Sequence, residues 1–177
     1  MGKVKLSIAL IGSGRAGMIH ARNFVGSVPN ARIVAVCDPI EEAVKAAAEE
    51  LELDRVYTDY REVMEQKDID AVIIATPTKY HCEIAIAAAN AGKHILCEKP
   101  MAMTVDECNL MDEAAKKNGV ILQLAFMRRF DTSFMAAKKM IEAGEIGDVV
   151  MVKSNTRGPS IPKPWMYAIS KSNGPLA

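Results

Sequence analysis

Three glycines at fixed spacing carry the first sign of chemistry. The run Gly12-Ser13-Gly14-Arg15-Ala16-Gly17 follows a short apolar stretch and opens an amphipathic one. In such a run Gly12 permits a tight turn, Gly14 lets backbone approach a pyrophosphate because no Cβ intervenes, and Gly17 lets a helix pack closely on a strand. The helix end then offers free N–H groups and the positive end of its dipole to phosphate. Glycines in this pattern are, by themselves, equally a turn without a ligand. About twenty residues past Gly17 stands Asp38, where an acid hydrogen-bonds a ribose 2′-hydroxyl. Alone, Asp38 before Pro39 is also an ordinary turn residue. Strand, glycines, helix and acid in register together predict dinucleotide binding. A carboxylate in that place repels a 2′-phosphate, which favours NAD over NADP. Arg15 either binds a 2′-phosphate or lies in solvent.

Two further clusters follow apolar runs. Thr76-Pro77-Thr78 comes just past the fourth run, with His81 shortly after. Propensity reads this as a turn and helix start with Thr78 as N-cap, and His81 as a first-turn surface residue. Glu98-Lys99-Pro100 ends the fifth run. A buried strand ending in a Glu–Lys pair projects charge into a crevice, and a desolvated lysine can serve in proton transfer. The alternative is a solvated loop. Cysteines at 37, 82, 97 and 108 have no CxxC spacing and no histidine cluster beside them. They read as free thiols of a reducing cytoplasm, with no metal site.

The elements that must position these residues alternate regularly. Strands are predicted over 6–11, 32–37, 56–58, 71–75, 94–97 and 120–126. Helices are predicted over 15–27, 40–51, 60–66, 80–91 and 104–118, the last with Thr104 as N-cap, Glu107 completing a capping box and Gly119 as its C-terminal stop. Near-continuous apolar strands separated by helices predict a parallel, doubly wound α/β sheet. Residues 1–126 form the predicted Rossmann domain, with ligands beyond the carboxyl ends of its strands. Residues 127–177 read as the start of an α+β substrate and oligomerisation domain: a helix over 132–143, a strand over 149–154, then a loop rich in proline (Pro159, Pro162, Pro164, Pro175).

The 22 basic and 22 acidic residues balance, which removes the electrostatic reason for a nucleic acid or anionic membrane partner. The first apolar run is too short for a signal peptide or a membrane span.

These pieces resemble the glucose–fructose oxidoreductase, inositol dehydrogenase and MocA family over essentially the whole chain. The resemblance rests on Gly12–Gly17 with His20 shortly after, Thr76-Pro77-Thr78 with His81, and above all Glu98-Lys99-Pro100 at a fifth strand end. It implies an NAD-dependent dehydrogenase acting on a ring secondary alcohol of a sugar or cyclitol, assembled as a homo-oligomer through its substrate-domain sheet. It implies that Lys99 contacts the substrate hydroxyl and the nicotinamide ribose, that Thr76, Pro77 and Thr78 line the nicotinamide half of the site, and that His81 and Glu98 belong with them to the cofactor-binding set. The run Phe126-Met127-Arg128-Arg129-Phe130 is similar to one in inositol dehydrogenases, which puts Arg128 toward substrate; alternatively Arg128 and Arg129 cap the sheet. Trp165 either reaches over the cofactor or packs within its loop. In the family a proton-transferring histidine follows a Gly-Pro-Leu-like stretch, and here the sequence stops at Ala177, just after Gly174-Pro175-Leu176. The expectation for residues 1–177 alone is therefore NAD binding without turnover. A non-catalytic NAD-binding regulator, a reductase of an unrelated carbonyl compound and an inactive remnant stay open as alternatives.

Overall fold

The computed structural model describes residues 5–155. Six strands, β1 (Leu6–Ile11), β2 (Ala31–Cys37), β3 (Val56–Tyr57), β4 (Ala71–Ile74), β5 (His94–Cys97) and β6 (Leu122–Leu124), form one sheet. Its order is β3-β2-β1-β4-β5-β6 and every pair is parallel. The crossovers are α1 (Arg15–Ser27), α2 (Glu41–Glu50), α3 (Tyr60–Met64), α4 (His81–Asn90) and α5 (Val105–Asn118). The strand order reverses between β1 and β4, and in open α/β sheets that reversal opens the ligand crevice.

Alternation along the central strands divides the core in two. Ile8 and Leu10 of β1 pack with Met18 and Ala21 of α1 and with Val44 and Ala47 of α2. Ala9 and Ile11 face the other way, toward Ile84, Ala85 and Ala88 of α4 and Met111 of α5. A strand segment buried on both faces must be apolar, which is why Ile8–Ile11 of β1 and the whole of β4 read as unbroken runs. The start of α5 is fixed locally: Thr104 Oγ1 accepts the Glu107 N–H at 3.2 Å. The Glu107 carboxylate returns to the N–H of Met103 at 2.8 Å, one residue before the expected Thr104. Gly119, at φ +65°, ends the helix as predicted.

Three expectations are corrected. Residues 149–154 form no strand: β-branched residues favour strands only where a neighbour supplies the ladder, and none does so among the described residues. Val150, Met151 and Val152 are 98, 85 and 80% exposed. Thr78 is no N-cap; it is buried in a 3₁₀ turn, Thr78–Tyr80, that leads into α4 without a side-chain cap. His81 is no surface residue, being 1% exposed. Beyond β6 a 3₁₀ turn, Met127–Phe130, leads to α6 (Thr132–Glu142), where Asp131 caps the N–H groups of Ser133 and Phe134. No residue of α6 is buried. The Pro-rich loop, Trp165 and Gly174-Pro175-Leu176 lie outside the described residues.

Candidate functional site

Sheet register brings the predicted residues together. Cys37, Ile11, Ile74, Cys97 and Leu124 form one row across β2, β1, β4, β5 and β6. The residue after each lies at the carboxyl edge: Asp38, Gly12, Ala75, Glu98 and Ala125. Backbone bonds hold the row, Gly12 N–H to Cys37 C=O and Ala75 N–H to Ile11 C=O at 2.8 Å, and Glu98 N–H to Ile74 C=O at 2.9 Å. Residues scattered from 12 to 125 thus share one edge because their strands end in the same row.

The glycines do different work. Gly12 has φ +94°, and a Cβ there would lie 2.7 Å from the Ala75 carbonyl and 2.9 Å from Thr76 N. The switch point between β1 and β4 has no room for a side chain. A Cβ on Gly17 would sit 1.9 Å from Gly12 O, so helix and loop meet only through glycine. A Cβ on Gly14 meets nothing within 4 Å. Its backbone is unstrained too, at φ −68°. The fold makes no demand for glycine at 14; the space beside it is open, as a pyrophosphate requires. Helix α1 begins there with no side-chain cap and no acid in its first turn, where Arg15 and Ala16 are exposed. A bare helix N-terminus presents unpaired N–H groups and partial positive charge to an anion.

Asp38 closes one side of this cradle. Its Oδ2 accepts the N–H of Ser13 at 2.8 Å and the Ser13 hydroxyl at 3.0 Å, while Oδ1 accepts the Ile40 N–H at 3.0 Å. On the other side Thr76 Oγ1 is buried without a hydrogen-bond partner among the described residues. Buried hydroxyls are ordinarily paired, so this one awaits a group that completes the site. Open space at Gly14, an uncapped helix end, an oriented carboxylate and an orphan hydroxyl together fit a dinucleotide.

Two histidines flank the Glu98-Lys99-Pro100 segment. His20, on α1, places Nε2 2.8 Å from Glu98 Oε1. Glu98 Oε2 accepts the Lys99 N–H at 3.0 Å. The His20 contact, opposed by burial and aided by the Lys99 N–H, holds the Glu98 carboxyl below the usual carboxylate range. His81 sets Nδ1 2.9 Å from Pro100 O and Nε2 2.9 Å from Thr76 O. It therefore lies beneath the site, against backbone. The sequence reading gave His20 no site role. Its signal was position: three residues past Gly17, it lies one turn along the same side of α1. No hydrogen bond or salt bridge ties the exposed Lys99 ammonium among the described residues.

Arg128 leaves the sheet beside this segment, past β6. Its guanidinium lies 5.0 Å from the Phe134 ring centroid. With Phe126, Arg129, Phe134, Met135 and Lys138 it lines an open cleft of about 500 Å³. Among the described residues no cluster of His, Cys, Asp or Glu is placed to hold a metal ion, and no helix is long and apolar enough to cross a membrane.

Residues 6–126 match an oxidoreductase family with an NAD-binding Rossmann fold. The chain is 44% identical over 154 residues to scyllo-inositol 2-dehydrogenase (NAD(+)) of Bacillus subtilis, covering 87% of this chain and 45% of that protein. It superimposes with TM-score 0.78, at 33% identity, on scyllo-inositol dehydrogenase from Lactobacillus casei crystallised with NAD(H) and scyllo-inositol, over 81% of this chain and 43% of that one. The WlbA dehydrogenase from Bordetella pertussis, in complex with NADH and UDP-GlcNAcA, gives TM-score 0.78 at 31% identity, over 83 and 42% of the two chains. The chain thus spans less than half the length of these relatives.

Proposed function

Because the chain belongs to the oxidoreductase family with an NAD-binding Rossmann fold, we propose that it is the nucleotide-binding part of an NAD-dependent dehydrogenase acting on a ring secondary alcohol of a cyclitol or sugar, inositol above all. The observation that carries the reading is the carboxyl-edge row, which sets Asp38, the glycine turn, Thr76 and Glu98-Lys99 along one crevice. Similarity to dehydrogenases named for scyllo-inositol supports the substrate class.

Bound NAD supplies the hydride acceptor; the residues of this chain bind, orient and manage the proton. Gly12, Ser13, Gly14, Arg15, Ala16 and Gly17 cradle the pyrophosphate at the α1 N-terminus. Asp38, oriented by Ser13 and Ile40, accepts from the ribose hydroxyls and disfavours a 2′-phosphate, so NAD is preferred to NADP. Thr76, Pro77 and Thr78 line the nicotinamide side, with His81 supporting them from below. Lys99 holds the substrate hydroxyl and takes part in moving its proton, and Glu98 fixes the backbone on which Lys99 stands. Arg128 orients the polyol from the adjoining cleft.

The test is a titration of the purified protein with NADH and NADPH, followed by nicotinamide fluorescence, beside a turnover panel of inositols and hexoses with the full reading frame. Saturable NADH binding and oxidation of a cyclitol are expected. Absence of NADH binding overturns the reading.

A further inference from the structure

The histidines offer the furthest inference. Lys99 is exposed and no hydrogen bond or salt bridge holds its ammonium among the described residues, yet the residues on either side of it meet histidines from different helices. On one side His20 of α1 reaches Glu98 Oε1 at 2.8 Å, and the same carboxylate accepts the Lys99 N–H through Oε2 at 3.0 Å. On the other, His81 of α4 reaches Pro100 O at 2.9 Å. The second nitrogen of His81 lies 2.9 Å from Thr76 O, so one ring packs between two loops that leave adjacent strands and, with the single N–H of a neutral imidazole, hydrogen-bonds one of the two carbonyls.

The two helices lie on opposite faces of the sheet: Met18 and Ala21 of α1 belong to one core, Ile84 and Ala85 of α4 to the other. A short loop past a strand end has few contacts of its own and would otherwise take several conformations. Here its first residue is held from one face and its last from the other. The Glu98 contact is charge-assisted, because the carboxyl sits below the usual carboxylate range and so carries charge, and bonds to charged groups are the stronger ones. The His81 ring is buried between the two loops, so its position is fixed by packing as well as by the one hydrogen bond its N–H makes.

We infer that His20 and His81 are positioning residues that together clamp the backbone of Lys99, His20 through its bond to Glu98 and His81 by the packing of its buried ring between Pro100 and the Thr76 turn. Neither histidine needs to touch substrate. Their effect on turnover rests on the dehydrogenase reading above; the clamp itself is a property of the unliganded chain.

The test uses two readouts on His20→Ala, His20→Gln, His81→Leu and His81→Gln. The first is hydrogen exchange of the Lys99 amide, measured by NMR without ligand. Releasing Glu98 should speed that exchange about tenfold, the worth of one ordinary hydrogen bond, in His20→Ala. His20→Gln, whose amide keeps a donor near the Nε2 position, should restore it. The second is kcat against NADH affinity in the full-length enzyme. Misplacing a reacting group should lower kcat by about 10- to 100-fold while NADH affinity stays near the parent's, again with rescue by Gln. Should His81→Leu not fold, the His20 pair still decides the matter. Unchanged Lys99 exchange in His20→Ala overturns the clamp, and so does a loss of NADH affinity that matches the loss of kcat. A parent that binds no NADH and oxidises no cyclitol overturns the functional reading instead, while the exchange data still decide the clamp.

Discussion

Ser13 and Asp38 are joined twice: the amide and the hydroxyl of Ser13 both donate to Oδ2 of Asp38, at 2.8 and 3.0 Å. The glycine turn and the end of β2 are thereby one unit before any ligand arrives. The Ile40 N–H occupies Oδ1 as well, so the carboxylate cannot swing away to relieve repulsion. The proposed preference for NAD over NADP rests on that rigidity.

Asp38→Ala is expected to weaken NAD binding and flatten the NAD/NADP ratio. Losing a hydrogen bond to a charged group costs about 1.5–3 kcal/mol, roughly ten- to a hundredfold in affinity. Ser13→Ala removes only one of the two bonds to Asp38 and should cost less. Parallel fluorescence titrations with both cofactors measure the ratio. Equal affinities in the unmodified protein would contradict the assignment.

Gly14 and Gly17 should separate function from folding. A Cβ at 14 meets no heavy atom within 4 Å and the backbone there is unstrained, so Gly14→Val should fold and lose NADH binding. Gly17→Ala drives a methyl to 1.9 Å from Gly12 O. Overpacking of that kind costs about 1–3 kcal/mol, visible as a lower midpoint in a urea melt followed by circular dichroism. Normal NADH affinity in Gly14→Val would place the pyrophosphate elsewhere.

For Lys99 the expectation is a loss of chemistry with little loss of cofactor. With the full reading frame, Lys99→Ala should lower kcat by about 10²–10⁴-fold, the usual worth of a positioned acid–base group. NAD affinity should move far less, since the glycine turn and Asp38, proposed to hold the pyrophosphate and the other ribose, are built without Lys99. Steady-state kinetics beside an NADH titration distinguish this from a role in binding.

What was legible in the sequence was local. Gly12, Gly14, Gly17 and Asp38 work within one βαβ unit, so their spacing alone places them. Glu98 and Lys99 end a strand whose apolar run marks it. The histidine contacts were hidden because they depend on assembly: His20 and Glu98 are 78 residues apart and meet only once β5 lies two strands from β1. His81 looked like a surface residue because its partners are backbone carbonyls, which leave no trace in side-chain pattern. Residues 149–154 misled for the opposite reason. Their β-branched content signals a strand, but a strand exists only where a second one accepts its hydrogen bonds.

Cys37 and Cys97 lie in the same register row, directly under Asp38 and Glu98. Burial first, and then those neighbouring carboxylates, push both thiols from 9.0 up to about 12. In the unfolded chain both lose their protons near 9, whereas in the folded chain they keep them to about 12. Between those values the folded state binds more protons than the unfolded one, so stability falls as pH rises through the window. Below pH 9 both thiols are protonated in both states and contribute no pH dependence. Urea unfolding under reducing conditions from pH 8 to 10.5 should show the midpoint dropping more steeply in the parent than in a Cys37→Ala/Cys97→Ala variant. Tyrosines and lysines titrate in both proteins, so the difference between the two slopes isolates the thiols. Iodoacetamide at pH 8 should likewise spare Cys37 and Cys97 in the folded protein and modify them on addition of urea. Parallel pH slopes in parent and variant would show that these two thiols ionise as readily in the fold as out of it.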